Sequence, residues 1–95
     1  MGNRFASETE LAILRVLRDH PRGLYGLEIV RASENLSRGT VYTTLGRMEE
    51  KAFVRSHVRR DEEHAGLPRP RYTVAALGER ALAAAEVMGL VPAGA

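Results

Sequence analysis

Apolar residues recur at helical spacing along the first third of the chain. Leu11, Leu14 and Leu17, widened by Ile13 and Val16, form one stripe, with Arg15 and Asp19 turned away and Arg18 at its edge. Just ahead lies Ser7-Glu8-Thr9-Glu10, a capping box in which the Ser7 hydroxyl can accept from the Glu10 amide while the Glu10 carboxylate takes the Ser7 amide. The pattern predicts a helix from Glu8 that stops before Pro21, followed by a tight turn at Pro21-Arg22-Gly23. Leu24, Leu27 and Val30, with Ile29 alongside, predict a short second helix from Leu24 to Ala32. Asn35-Leu36-Ser37 interrupts it, and Ser37 caps a third helix with the stripe Val41, Leu45 and Met48, running to about Lys51.

Beyond Ala52 the period changes to two. Val54, Ser56 and Val58 point one way and Arg55, His57 and Arg59 the other, as in a half-exposed strand, and Arg71 to Val74 reads as a second strand. Arg60 to Pro70 holds Gly66, Pro68, Pro70 and an acidic patch, which predicts an exposed loop joining an antiparallel pair. Two strands alone are marginal, so the hairpin must lie on the helices. Ala75 to Leu90 is alanine-rich and helical by propensity, with a thin stripe of Leu77, Ala81, Ala84 or Ala85, and Met88 that has no obvious partner in the preceding domain. The expected organisation is a domain over residues 1–74, a C-terminal dimerisation helix over 75–91 and a disordered tail over 92–95.

The order of elements predicts a mainly α fold with a small β-hairpin, an α+β winged helix-turn-helix with a C-terminal helix. In that arrangement the helix after the turn enters the DNA major groove and the hairpin loop reaches the flanking backbone. With Val41 at the centre of its buried side, the third helix places Gly39, Thr43, Arg47 and Glu50 opposite, and Thr40 and Tyr42 on the shoulders. Ser37 to Arg47 contains Arg38 and Arg47 and no acid, so this face is locally positive, and the helix dipole adds to it. Gly39 and Gly46 lower helix propensity; close approach to DNA and close helix packing both account for Gly39, and packing is the favoured reading of Gly46.

Composition sharpens this only in part. Ninety-five residues suffice for one small domain, and the absence of cysteine removes disulfides and thiolate zinc sites. Fourteen basic against twelve acidic residues leave a formal charge of +2, a faint pointer to nucleic acid. Every basic residue except Lys51 is arginine, which suits phosphate and guanine contact and equally suits a GC-rich genome. No secretory or membrane signal is visible, so a cytoplasmic protein is expected. Asp61-Glu62-Glu63-His64 has poor geometry for a metal, the three histidines are scattered and no nucleophile-base arrangement occurs. Neither an enzyme nor a cofactor or metal site is expected.

Three segments carry a family resemblance: Leu24-Tyr25-Gly26-Leu27-Glu28-Ile29, Leu36-Ser37-Arg38-Gly39-Thr40-Val41-Tyr42, and Leu45-Gly46-Arg47-Met48-Glu49-Glu50-Lys51-Ala52-Phe53-Val54. Together with Arg71-Tyr72-Thr73-Val74 and Leu77-Gly78 they resemble the PadR family of bacterial transcriptional regulators, over about Leu11 to Leu82. The resemblance implies a winged-helix repressor, dimeric through its C-terminal helix, binding double-stranded DNA near its own promoter and released by small ligands. It implies that Ser37, Thr40, Tyr42, Thr43 and Arg47 face DNA and that Tyr25, at the start of the second helix, touches a phosphate. Three features depart from the family pattern. Ala75 stands at a position usually held by a capping Thr or Ser, Ala52 replaces a glycine before the first wing strand, and the tail after Leu90 is short, which tells against extensive dimer contacts. The chain also lacks a tryptophan of the kind used to sandwich flat ligands, so no ligand site is carried over.

The resulting expectation is a sequence-specific regulator that reads an inverted repeat with helix 37–51 and wing 59–71. Its DNA-binding residues would be Tyr25, Ser37, Arg38, Gly39, Thr40, Tyr42, Thr43, Arg47, Arg59, Arg60, Arg69 and Arg71, and its homodimer interface Leu77, Ala81, Ala84, Ala85 and Met88. Arg47 either forks onto a guanine edge or pairs with Glu50 one turn on. Tyr42 and Tyr25 either offer a hydroxyl to a phosphate or serve packing alone. The wing-root arginines contact the DNA backbone or pair across the hairpin with Asp61, Glu62 and Glu63. The competing reading is a winged-helix module that binds another protein and no DNA, motivated by the low net charge and the acidic wing tip.

Overall fold

The computed structural model describes residues 6–58 and 69–91. Helix α1 spans Glu8–Arg18 and opens on the expected capping box: the Glu10 amide donates to Ser7 Oγ at 3.2 Å and the Ser7 amide to Glu10 Oε1 at 2.7 Å. After the turn at Pro21, Gly23 adopts φ +92° and the chain enters strand β1, Leu24–Tyr25. Helix α2, Gly26–Ala32, and helix α3, Arg38–Glu50, follow. Strands β2, Val54–His57, and β3, Arg71–Val74, precede helix α4, Ala76–Val87. None of the helices among the described residues is long and apolar enough to cross a membrane.

Leu24 and Tyr25 correct the sequence expectation of a second helix starting at Leu24. They pair antiparallel with β3, Leu24 opposite Tyr72 and Tyr25 opposite Arg71. Tyr25 stays extended and becomes the N-cap of α2, its amide donating to Glu28 Oε1 at 2.8 Å. The sheet is therefore three-stranded, in the order β1-β3-β2, with β3 at its centre. In the β2–β3 pair, Val54 faces Val74 and His57 faces Arg71. Only Val54 of β2 is buried, because the strand runs off the body of the domain as a wing.

Ile13, Leu14 and Leu17 of α1, Ile29 of α2, Val41, Leu45 and Met48 of α3, Phe53 and Tyr72 close around one core. Ile29 is fully buried while Leu27 and Val30 are only partly so, which rotates α2 from the expected stripe. A buried ion pair braces α1 against the end of α3. Lys51 Nζ lies 2.9 Å from Glu10 Oε1, with side-chain exposures of 24% and 2%. Burial pushes the Glu10 carboxyl up, but the Ser7 amide and the Lys51 ammonium outweigh it and hold the group below its ordinary value.

Helix α4 also differs from expectation. Its apolar face does find a partner in the domain: Leu82 and Ala85 join the core against α1, and Arg18 pairs with Glu86 at 2.6 Å. Gly78 permits this approach, since a Cβ there would collide with the carbonyl oxygen of Phe53. Ala75 is the N-cap and supplies no side-chain hydrogen bond, as its identity implies.

Two helices end in the same hydrogen-bonded motif. After α3, Phe53 N–H donates to Met48 O and Ala52 N–H to Glu49 O; after α4, Leu90 N–H donates to Ala85 O and Gly89 N–H to Glu86 O. The left-handed residue of this motif is Gly89 at φ +76° in α4 but Ala52 at φ +61° in α3.

Candidate nucleic-acid interface

Helix α3 holds its inner face on the core and leaves most of its outer face exposed. Val41, Thr44, Leu45 and Met48 are buried, while Arg38, Gly39, Thr40, Tyr42, Thr43, Gly46 and Arg47 are exposed. Ser37 caps the helix, accepting the Thr40 amide at 3.2 Å and donating its hydroxyl to Thr40 Oγ1 at 2.9 Å. The first turn holds no acid, so the helix dipole and Arg38 act together on any anion in front of it.

Among the described residues both glycines of the helix lie in open space: a Cβ at Gly39 or at Gly46 would meet no atom within 4 Å. Helix packing, the reading favoured for Gly46, is thereby removed, since the residue faces outward at the spacing of the exposed side. Arg47 forms no ion pair among the described residues, so the alternative of a partner in Glu50 is not realised. Glu49 accepts from Ser56 Oγ at 2.8 Å instead of turning toward α3's outer face, tying the helix to the wing strand.

Tyr42 has two surfaces. The residue is 43% exposed, and one side of its ring lies against Gly26, where a Cβ would come within 2.5 Å of Cε1. A glycine at the start of α2 thus lets α3 sit close, which sequence reasoning missed because nothing local marks it. Burial, with Glu49 and Tyr42 nearby, raises the Tyr72 hydroxyl above its ordinary value, so the centre of the sheet stays neutral.

At the wing root the structure brings together three of the expected residues. The guanidinium carbons of Arg69 and Arg71 lie 4.3 and 4.7 Å from the ring centroid of Tyr25, and Arg71 Nη2 donates to the Tyr25 hydroxyl at 3.0 Å. Arg59, Arg60 and the acids Asp61, Glu62 and Glu63 lie outside the described residues, as does His64. Among the described residues no group of three or more His, Asp or Glu side chains is placed to hold a metal.

Of the residues expected at a dimer interface, Leu77 and Met88 are 47% and 59% exposed and Ala84 is exposed. Ala81 is partly buried, and Ala85 is buried in the domain core at the floor of the groove that Leu77, Ala84 and Met88 also line.

A family model described as the transcriptional regulator PadR-like family matches residues 13–84. Among solved structures, a PadR family transcription regulator from hypervirulent Clostridium difficile R20291 is 29% identical with a TM-score of 0.71, covering 86% of each chain. Bacillus subtilis PadR in complex with operator DNA superposes with a TM-score of 0.71 at 19% identity, over 81% of this chain and 45% of that one. The S. aureus MepR–DNA complex gives 0.72 at 19% identity, over 87% and 64%. The chain therefore spans less than two thirds of either DNA-bound neighbour. No curated protein matches it.

Proposed function

The chain belongs to the PadR-like family of transcriptional regulators, and from that premise we propose that it is a sequence-specific, dimeric DNA-binding repressor. The observation that carries the reading is the outer face of α3, exposed and acid-free from Arg38 to Arg47, with two glycines that pack against none of the described residues. Absent side chains at Gly39 and Gly46 allow the helix backbone to approach a groove wall closely. Thr40, Thr43 and Arg47 are the base readers, and Arg38 and Tyr42 contact phosphates beside them. The wing, through Arg59, Arg60, Arg69 and Arg71, holds the flanking backbone.

Dimer formation rests on the apolar outer surface of α4. Leu77, Ala84, Met88 and Leu90 help line a groove of about 330 Å³, and a second copy covers it. Two recognition helices related by a two-fold axis then read an inverted repeat with half-sites about 34 Å apart. The cytoplasm, where the chromosome lies, is the compartment this role requires.

Selection from random duplexes followed by anisotropy titration tests the assignment. R47A should weaken binding to the selected site by roughly five- to a hundred-fold, the value of about 1–3 kcal/mol for an arginine on guanine, with a much smaller effect on random duplex. T43A should shift preference in the same sense. An R47A protein with unaltered site preference refutes the base-reading role. A wild-type protein that ignores duplex at low salt yet holds another protein stably favours the protein-interaction reading instead.

A further inference from the structure

We propose that Tyr25 is a positioning residue for DNA phosphate recognition. It holds Arg69 and Arg71 as a preformed pair of phosphate ligands at the wing root, and its contribution to binding runs through them. The inference rests on the DNA-binding reading above and assigns Tyr25 a different task from the direct phosphate contact that the family resemblance implies.

The geometry separates three jobs on one ring. Tyr25 is anchored from behind: β1 pairs it with Arg71, and its amide is taken by Glu28. Its π face lies under the Arg69 guanidinium, 4.3 Å from the centroid. Its hydroxyl accepts from Arg71 Nη2 at 3.0 Å, while the Arg71 guanidinium carbon also sits 4.7 Å from the same centroid. Arginine loses rotamer freedom when it docks on a ligand, and stacking on an aromatic plane removes much of that freedom beforehand.

The place is the right one for a backbone phosphate. A hollow of about 110 Å³ is lined by Tyr25, Gly26, Leu27, Tyr42, Arg69 and Pro70, so it lies between the wing root and the outer face of α3. A phosphate that flanks the groove entered by α3 meets Arg69 there first. Arg69 is exposed and Arg71 half-buried, so Arg69 is the more accessible of the two ligands.

The test is a set of anisotropy titrations on a labelled random-sequence duplex between about 50 and 200 mM salt, with wild type, Y25L, Y25F, the double variant R69A/R71A, and Y25L added to that double variant. Each phosphate contact contributes about 0.9 to the slope of log affinity against log salt. R69A/R71A should flatten the slope by nearly two units and Y25L by about one. Y25F keeps the stacking plane and loses only the hydroxyl, so it should recover most of the wild-type slope. Y25L added to R69A/R71A should change nothing further. Side-chain NMR supplies a readout without DNA: the ring-current shifts of the Arg69 and Arg71 side chains should vanish in Y25L and persist for Arg69 in Y25F, while circular dichroism confirms that each variant is folded. A Y25L protein with the full wild-type slope overturns the proposal, and so does a further loss when Y25L joins the double variant, which would make Tyr25 a direct DNA ligand. A wild type without salt-dependent binding overturns the DNA-binding reading itself, an outcome distinct from either.

Discussion

Replacing Ala52 with glycine should make the domain more stable. Ala52 ends α3 at φ +61°, where an L-residue brings its Cβ against the following carbonyl. That conformation costs a non-glycine residue about 1–2 kcal/mol. Glycine removes the strain but adds freedom to the unfolded chain, which offsets about 0.4–1 kcal/mol. Ala52 is exposed, so no core contact is lost, and both terminal hydrogen bonds of the motif come from backbone amides that glycine retains. The balance is a gain of about 0.5–1 kcal/mol, or roughly 3–6 °C in Tm for a domain of this size. Urea denaturation should show a higher midpoint with an unchanged m-value, the signature of altered stability without altered compactness. The molecule contains its own control: Gly89 occupies the equivalent place after α4 at φ +76°, so G89A should lose what A52G gains. A neutral or destabilised A52G, with G89A equally silent, would refute the left-handed-cap argument. DNA affinity should not move in A52G, because the substitution preserves the angle between α3 and the wing.

Other substitutions probe different links. E10Q should cost about 2 kcal/mol at neutral pH, since charge-assisted bonds to Ser7 and Lys51 become neutral ones. Because the folded Glu10 carboxyl titrates below its ordinary 4.5, its contribution is complete above that pH and fades as pH falls through the lower folded value; E10Q should flatten this acid limb in pH-dependent melts. G26A forces the Tyr42 ring aside and should lose about 1 kcal/mol of stability by chemical denaturation, with a several-fold drop in DNA affinity. M88E places a charge in the proposed dimer groove and should give a folded monomer by light scattering, whereas a wild type that is already monomeric at high micromolar concentration refutes the dimer.

The elements that were legible from sequence are those specified by neighbours in the chain. The Ser7–Glu10 box, the Ser37 cap, the period-3.6 stripe of α3 and the uncapped Ala75 are local facts, and each appears where the residues put it. Strand β1 is two residues long and has no period to detect; it exists because Gly23 turns the chain onto β3, which is distant in sequence. Helix α2 is seven residues with apolar side chains around much of its surface, so its period alone does not single out Ile29 as the residue that faces the core. Alanine around α4 likewise blurs its inward face, which Leu82 and the contact of Gly78 with Phe53 define only in three dimensions. At the candidate interface, sequence named the residues of α3 and could not reveal that Tyr25, Arg69 and Arg71 gather on one ring.

The Glu10–Lys51 brace also decides how this protein's charge can be edited. Lys51 carries the only side-chain ammonium in the chain, and it is committed to an internal pair, so every cation offered outward by α3 and the wing root is a guanidinium. Guanidiniums keep their charge across the physiological range and do not accept acyl groups as amines do. Lysine acylation, a common way to loosen a protein's grip on nucleic acid, therefore has a single side-chain target here, and its first effect would be to unfasten α1 from the end of α3.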